Sequence, residues 1–170
     1  MRYISSKWLE DRDSNIGVVR TFKREFRTRA TTKEVFDWLN RTDRQHWLAW
    51  IMGEDDVGIT VELLNYGANI HAFKDLALQK AVRCGHLNTV KCLIKHGADI
   101  HTNEDYVLMK AVRCGRLDIV KCLIKHGLNN QAYSDSSLQW AADWAEYHGY
   151  KKIADFIVQT GEATRWFCYG

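Results

Sequence analysis

The chain has 170 residues, of which 46% are hydrophobic and 26% charged, a composition that fits one globular domain. No apolar run reaches the roughly 18 residues that a membrane-spanning helix needs, so we expect no membrane partner. The N-terminal MRYISSKWLEDRD carries charges where a secretion signal needs an apolar stretch. The net charge of +3 is too small to indicate nucleic-acid binding by itself.

The first 40 residues show no internal repeat. Thr31-x-x-Glu34 is a capping box, which predicts a helix through Val35, Phe36 and Leu39. Residues 18–28 are ambiguous. Val18, Phe22 and Phe26 are four residues apart, as in a helix, whereas Val and Thr favour a strand. We favour the helix, because the sequence becomes repetitive after residue 40 and a stack of repeats needs a capping element at its end.

A period of 30 residues begins after residue 40. It is clearest in residues 71–100 and 101–130, where AVRCG and VKCLIKHG both return. It continues more weakly into residues 41–70 and 131–161. In 131–161 the match resumes after Ala142 only with four extra residues, about one helical turn. The first helix of this last unit is therefore predicted to be one turn longer.

Each unit has the pattern of two short helices. In 71–100, Leu78, Ala81 and Val82 share one helical face, and Gly85 is predicted to end that helix. The second helix is predicted to end at Gly97, and its apolar side contains Leu87, Val90, Cys92, Leu93 and Ile94. The later units carry matching helix-ending glycines, namely Gly115, Gly127, Gly149 and Gly161. So short a pair cannot bury its apolar face alone, so neighbouring units must stack.

A helix ending AxxGH followed by VKxLIxxGADI resembles the ankyrin-repeat family. The resemblance implies an all-α solenoid of about four helix-turn-helix units, spanning residues 41–161. Residues 1–40 would form a non-repeat N-terminal cap, and residues 162–170 an aromatic C-terminal tail. Leu76-Ala77-Leu78-Gln79 replaces the family's Thr-Pro-Leu-His, and the short period of 30 implies a short finger between units.

Pro-free units of this length resemble the ankyrin repeats of large DNA viruses, phages and bacteria. That resemblance implies a non-enzymatic module that binds a partner protein. If the gene is viral, it implies an inhibitor of a host factor acting in the host cytoplasm.

In the family, the outer side of each first helix lines a concave groove. The helical step places two columns on that side. One column contains Trp50, Lys80, Lys110 and Trp140, and the other contains Gly53, Arg83, Arg113 and Asp143. The groove is therefore predicted to be basic in its middle and aromatic at its ends, suited to an acidic protein segment. Surface charges copied with the repeat are the alternative explanation.

The inter-unit fingers are predicted to lie at the edge of this groove. They present Phe73, Lys74 and Asp75 in one unit and Tyr133 in a later one. Trp140, Trp144 and Tyr147 are predicted to form an aromatic stripe on one helical face. Either this stripe contacts a partner, or it is covered by the tail residues Trp166, Phe167 and Tyr169.

We expect no metal, cofactor or catalytic site. The pair Cys84 and His86 is not kept in the next unit, and no CxxC or HExxH spacing occurs. His96 and His126 precede helix-ending glycines, where a histidine satisfies terminal carbonyls. Cys92 and Cys122 replace core leucines. Four of the five cysteines recur with the repeat, which explains their number better than disulfide pairing does, so we expect reduced thiols in the cytoplasm. The acidic run Glu54-Asp55-Asp56 is interpreted as a solvated turn.

The sequence leaves two alternatives to protein binding open. Nucleic acid is one, because the groove cations could meet phosphates while Trp50 or Trp140 stacks on bases. Basic residues between positions 20 and 29 would extend that surface. A structural homo-oligomer is the other, with an exposed end of the stack packing on its twin.

Overall fold

The computed structural model describes residues 2–12, 16–129 and 135–168, with the backbone alone at 16, 102–105, 128–129, 135 and 161–168. The cap consists of β1 (Tyr3–Ser5), α1 (Ser6–Glu10), α2 (Ile16–Phe26), β2 (Arg29–Thr31) and α3 (Thr32–Arg41). Four helix pairs come after it: α4 (Gln45–Met52) with α5 (Val57–Asn65), α6 (Ala72–Cys84) with α7 (Leu87–Lys95), α8 (Thr102–Arg113) with α9 (Leu117–Asn129), and α10 (Asp135–Tyr147) with α11 (Lys151–Cys168).

The four pairs stack into two rows of helices. The first helices α4, α6, α8 and α10 contact one another in order, and so do the second helices α5, α7, α9 and α11. Leu78, Ala81 and Val82 are fully buried between the rows, as are their counterparts one unit later. The predicted all-α stack of about four units is therefore confirmed.

Four of the predicted helix-ending glycines have the left-handed backbone that such a role requires. They are Gly85 (φ 87°), Gly97 (φ 94°), Gly115 (φ 64°) and Gly149 (φ 79°). The prediction is wrong for Gly127 and Gly161, because α9 continues to Asn129 and α11 continues to Cys168. At each of the four glycines that end a helix, the next residue donates its N–H to the carbonyl five positions earlier; the N–H of Ala98, for example, bonds the carbonyl of Leu93 at 3.0 Å.

The first helix of the last unit is longer, as predicted. Helix α8 ends at Arg113, five residues after Leu108. Helix α10 ends at Tyr147, nine residues after the equivalent Leu138. The four extra residues thus extend α10 by one turn.

The cap combines one predicted helix boundary with a strand pair that was not predicted. Residues 16–26 are helical, and the Thr31 capping box is present: Glu34 N–H bonds the Thr31 hydroxyl at 3.2 Å, and Thr31 N–H bonds the Glu34 carboxylate at 2.8 Å. These bonds from Thr31 hold the pKa of Glu34 below its ordinary value. Strands β1 and β2 pair antiparallel with Ile4 opposite Ala30. Three residues per strand are too few for alternation to be visible in the sequence.

An aromatic cluster joins the cap to the first unit. The Phe26 ring lies 5.1 Å from Phe22 and 5.3 Å from Trp38, and Trp38 lies 5.9 Å from Trp47 of α4. The Arg44 guanidinium is 5.2 Å from the Trp47 ring centre. Aromatic pairs at these separations stabilise beyond their buried area, so the cluster covers the open N-terminal end of the stack.

The finger before the second unit is short and has an unusual backbone. Phe73, Lys74 and Asp75 all have left-handed dihedrals, with φ between 55° and 58°. Phe73 is exposed, as predicted, with its ring 6.1 Å from His46. The prediction that Asp75 is a finger tip is wrong: its carboxylate is buried and accepts the N–H of Asp99 at 3.1 Å. It therefore joins this finger to the loop between α7 and α8.

We predict that Gly53→Ala destabilises the protein. Gly53 has φ −80°, which alanine tolerates, so chain entropy alone would make the substitution stabilising. A Cβ at this position would, however, lie 2.7 Å from the Ala77 carbonyl oxygen and 2.9 Å from the Lys80 Cβ, both in the next unit. We expect a loss of about 1–3 kcal/mol in urea unfolding. An unchanged or higher stability would show that units one and two are not in this close contact.

Candidate functional site

The binding residues were predicted for one surface, the first-helix face, which we define as the exposed side of α4, α6, α8 and α10. The structure separates the predicted residues into three groups by exposure. Arg83, Arg113, Trp140 and the finger residue Phe73 are exposed. Trp50, Lys110 and Trp144 are half-buried, and Lys80 is buried. Tyr133 lies outside the described residues.

Lys80 is the main correction on this face. Its side chain is only 5% exposed, so the prediction that it points to solvent opposite the core is wrong. The ammonium forms an ion pair with the Glu54 carboxylate and donates to the Trp50 carbonyl at 3.3 Å. It also lies 2.9 Å from the centre of the Trp50 ring. The column of Trp50 and Lys80 thus exists as predicted, but it is an internal contact between two units.

Glu54 is the buried carboxylate that pairs with Lys80. It is buried, so its interpretation as part of a solvated turn is also wrong. Besides Lys80, its carboxylate approaches Arg12 of the cap, with 3.9 Å between the Arg12 Nε and a carboxylate oxygen. A buried carboxylate needs such partners, because leaving it unpaired in the interior is costly. The neighbouring Asp56 has a local role, capping α5 through the N–H of Ile59 at 3.0 Å.

The turn between α4 and α5 is bonded to the second unit by two more side chains. The Thr89 hydroxyl donates to the Glu54 carbonyl at 2.7 Å, and a ring nitrogen of His86 lies 3.1 Å from the Gly53 carbonyl oxygen. These bonds satisfy carbonyls at a helix end, which otherwise lack partners. His86 therefore has a structural role at this turn.

Lys110 occupies the same position as Lys80 one unit later, yet its surroundings differ. The position equivalent to Glu54 is Cys84, which offers Lys110 no carboxylate. Lys110 remains half-buried, with its ammonium 5.8 Å from the centre of the Tyr106 ring. The two lysines are copies in sequence but differ in the structure because the preceding units differ.

The C-terminal end of the first-helix face is aromatic. Trp140 is 56% and Tyr147 86% exposed, which confirms that this part of the stripe faces outward. Trp144 is half-buried because His148 stacks on it at 3.7 Å, with Tyr150 at 6.3 Å. The Arg113 guanidinium lies 6.0 Å from the Trp144 ring centre. Whether Trp166, Phe167 and Tyr169 cover the stripe falls outside the described side chains.

Cys92 behaves as a small core residue, as predicted, whereas the prediction of a core position is wrong for Cys122, which lines the surface between α7 and α9. Cys92 is buried, Cys122 is half-buried, and burial raises the pKa of both thiols. His96 Nδ1 bonds the Cys92 carbonyl at 2.8 Å, as predicted for a histidine at a helix end. His126 does not share this role, since α9 continues past it. Among the described residues, no group of three or more His, Cys, Asp or Glu side chains is placed to hold a metal ion.

Comparison with known proteins identifies the repeat. A family model described as ankyrin repeats (3 copies) matches residues 78–165, which is more than half of the chain. No curated protein and no solved structure gives a significant match. In the parts of the chain that the structure describes, no helix is both long and apolar enough to cross a membrane.

We predict that Lys80→Met lowers the free energy of unfolding by about 3–5 kcal/mol, because it leaves the buried Glu54 carboxylate without its nearest cation. Glu54→Gln should cost a similar amount for the converse reason. The double variant Lys80→Met/Glu54→Leu should recover most of the loss, since an apolar pair leaves no unpaired charge. Urea unfolding of the three variants tests this coupling. Additive losses in the double variant would contradict it.

We also predict a pH dependence that belongs to Lys80. Burial lowers its pKa from the ordinary 10.5 to about 8. Between these values the unfolded chain binds more protons than the folded one, so the unfolding free energy should rise with pH across this window. The raised thiol pKa values of Cys92 and Cys122 act in the opposite direction, but equally in parent and variant. The urea midpoint of the parent should therefore rise relative to that of Lys80→Met between pH 8 and 10.5, and parallel profiles would refute the assignment.

Proposed function

The chain belongs to the ankyrin-repeat family, whose stacks are generally non-enzymatic protein–protein interaction modules, and we propose that it binds its partner protein through the first-helix face. The observation that carries the proposal is an exposed arginine in each central unit, together with exposed aromatic side chains in the last. Arg83 and Arg113 are exposed at equivalent positions, and Trp140 and Tyr147 extend the surface toward the C-terminus.

These side chains are not required for packing. Among the described residues, no carboxylate forms an ion pair with Arg83 or Arg113. Arg113 lies instead over the Trp144 ring, a contact that holds its guanidinium in place at the surface. Large aromatic groups exposed within the described part of the chain, as Trp140 and Tyr147 are, are typical of contact sites.

The chemistry of the surface favours an acidic segment of the partner. Guanidinium groups bind carboxylates through two parallel hydrogen bonds, and Arg and Trp dominate the energetics of protein interfaces. Since Glu54 neutralises Lys80, the positive region is centred on Arg83 and Arg113, with Lys110 one turn before Arg113 on α8. We propose that Trp140 and Trp144 lie at one end of the binding surface and the finger residue Phe73 at its edge.

Inhibition of a host factor by a viral or phage protein would be a consequence of the same binding event. A rigid stack that occupies a partner's surface excludes whatever else binds there. The repeat length and the absence of proline are what suggest such a source.

The exposed surface is less suited to nucleic-acid binding than the sequence alone indicates. The Trp50 ring is covered by the Lys80 ammonium, which removes it as a stacking platform. Lys80 itself is neutralised, so the groove has fewer free cations than the sequence indicates.

The other alternative, a homo-oligomer, would show as a doubled mass in light scattering.

We predict that Arg83→Glu/Arg113→Glu weakens partner binding by at least about tenfold, or 1.4 kcal/mol, because two guanidinium contacts become repulsive. The partner would be captured from a lysate of the native cell type on immobilised parent protein, purified, and titrated against each variant. The matched control is Arg20→Glu/Arg24→Glu, which makes the same charge change on exposed positions of α2. Both variants should melt like the parent, since none of the four arginines is buried.

Any of three results would contradict the proposal. The first is that the partner binds Arg83→Glu/Arg113→Glu as tightly as it binds the parent. The second is that the control variant loses as much affinity, and the third is that the captured ligand is nucleic acid whose affinity falls steeply with salt. The second result would indicate a general charge effect, and the third would replace protein binding by phosphate recognition.

A further inference from the structure

A second surface lies on the other row of helices, between α7 and α9. A groove of about 660 Å³ opens there. Its apolar lining includes Leu87 and Ile94 from α7 and Cys122 from α9. Four lysines also line it, and we call this site the lysine groove: Lys91, Lys95, Lys121 and Lys125.

The lysine groove is strongly positive. All four lysines are exposed, and Asp118 is the one acidic side chain lining the groove among the described residues. Within the part of the chain that the structure describes, no carboxylate forms an ion pair with any of the four ammonium groups. The Lys121 ammonium lies 5.6 Å from the Phe156 ring centre. The site therefore combines unneutralised charge with apolar surface.

This arrangement does not help the fold. Lys91 and Lys95 are one turn apart on α7, and Lys121 and Lys125 are one turn apart on α9. Like charges at this spacing destabilise a helix, and stacking brings the two pairs to the same groove. The lysines are exposed, so core packing does not determine their identity either.

The apolar lining decides between ligands. A nucleic-acid backbone would use the ammonium groups but would leave the exposed apolar surface of the half-buried Leu87 and Cys122 in water. A peptide helix with one apolar and one acidic side uses both. Helix α7 has nine residues, which corresponds to about 13 Å, or two to three turns of such a ligand.

We propose that the lysine groove binds a short acidic amphipathic segment of a protein, whose apolar side chains contact Leu87, Ile94 and Cys122 while its carboxylates bond the lysines. This site is independent of the first-helix face, because it is built from the second helices and shares no residue with that face. The protein would then be able to hold two partners at once.

The test uses a synthetic peptide of about 15 residues, long enough to form helix, with leucines along one side and glutamates on the other. Two matched peptides replace either the leucines by serine or the glutamates by glutamine, and a single-stranded oligonucleotide serves as a purely anionic probe. Binding to the full chain is measured by fluorescence anisotropy. We expect the acidic amphipathic peptide to bind at least about tenfold more tightly than each of the other three probes.

Two matched double variants each replace one cation in each of the two central units. One of them changes the lysine groove and the other changes the first-helix face. Lys91→Glu/Lys121→Glu should weaken binding of the acidic amphipathic peptide by at least about tenfold, while Arg83→Glu/Arg113→Glu should leave it unchanged. The first variant should melt no lower than the parent, because each substitution places an acid one turn before Lys95 or Lys125. A loss of binding therefore cannot come from unfolding.

Thiol labelling gives a second readout within the same molecule. The bound peptide should slow alkylation of Cys122, which lines the groove, but not that of Cys84 or Cys114 at the ends of the first helices. The proposal is overturned if the peptide fails to bind, if the oligonucleotide binds as tightly, or if Lys91→Glu/Lys121→Glu retains binding. None of these results bears on the first-helix face, whose own test uses a different ligand, the captured partner.

Discussion

Every unit of this protein depends on its neighbours to cover its apolar side. A pair of helices of about ten residues each has too little surface to form a core, so burial is achieved only between units. The two ends of the stack therefore have to differ from the central units. At the N-terminus, the cap covers the first unit with the aromatic cluster of Phe22, Phe26, Trp38 and Trp47 and with the Arg12–Glu54 contact. At the C-terminus, the lengthened α10 packs against the long α11.

The period made most of the fold predictable. It located the four units, the buried faces and the glycines that end four helices, because these features depend on local sequence at a fixed spacing. The capping box at Thr31 was equally local. The β1–β2 pair was not predictable, since it joins short segments far apart in sequence, and neither was the left-handed run in the finger at Phe73. Gly127 shows that a glycine permits a helix to end without forcing it to do so.

The candidate site was predicted less well, for a related reason. Periodicity assigns the same environment to equivalent residues, and this holds only where the units on both sides are also equivalent. Lys80 and Lys110 are equivalent, but Glu54 precedes one and Cys84 the other, so one lysine is buried and the other half-buried. Arg83 and Arg113 are both exposed, although Arg113 also lies near the Trp144 ring of the next unit, and the helical step predicted their exposure correctly. The aromatic contacts of His148 and Tyr150 depend on the four extra residues, which the period does not describe.

The buried Glu54–Lys80 pair also limits how such an array can grow by gene duplication. A further copy of residues 71–100 inserted after residue 100 would place its lysine opposite Cys84, as Lys110 already lies, and would need no new partner. Losing residues 41–70 would instead leave the cap facing a unit without Glu54, and both Arg12 and Lys80 would lose their carboxylate. Repeats can therefore be added in the middle of the stack more easily than they can be removed at its N-terminal end. The near-identity of the two central units is what recent copying at that position would produce.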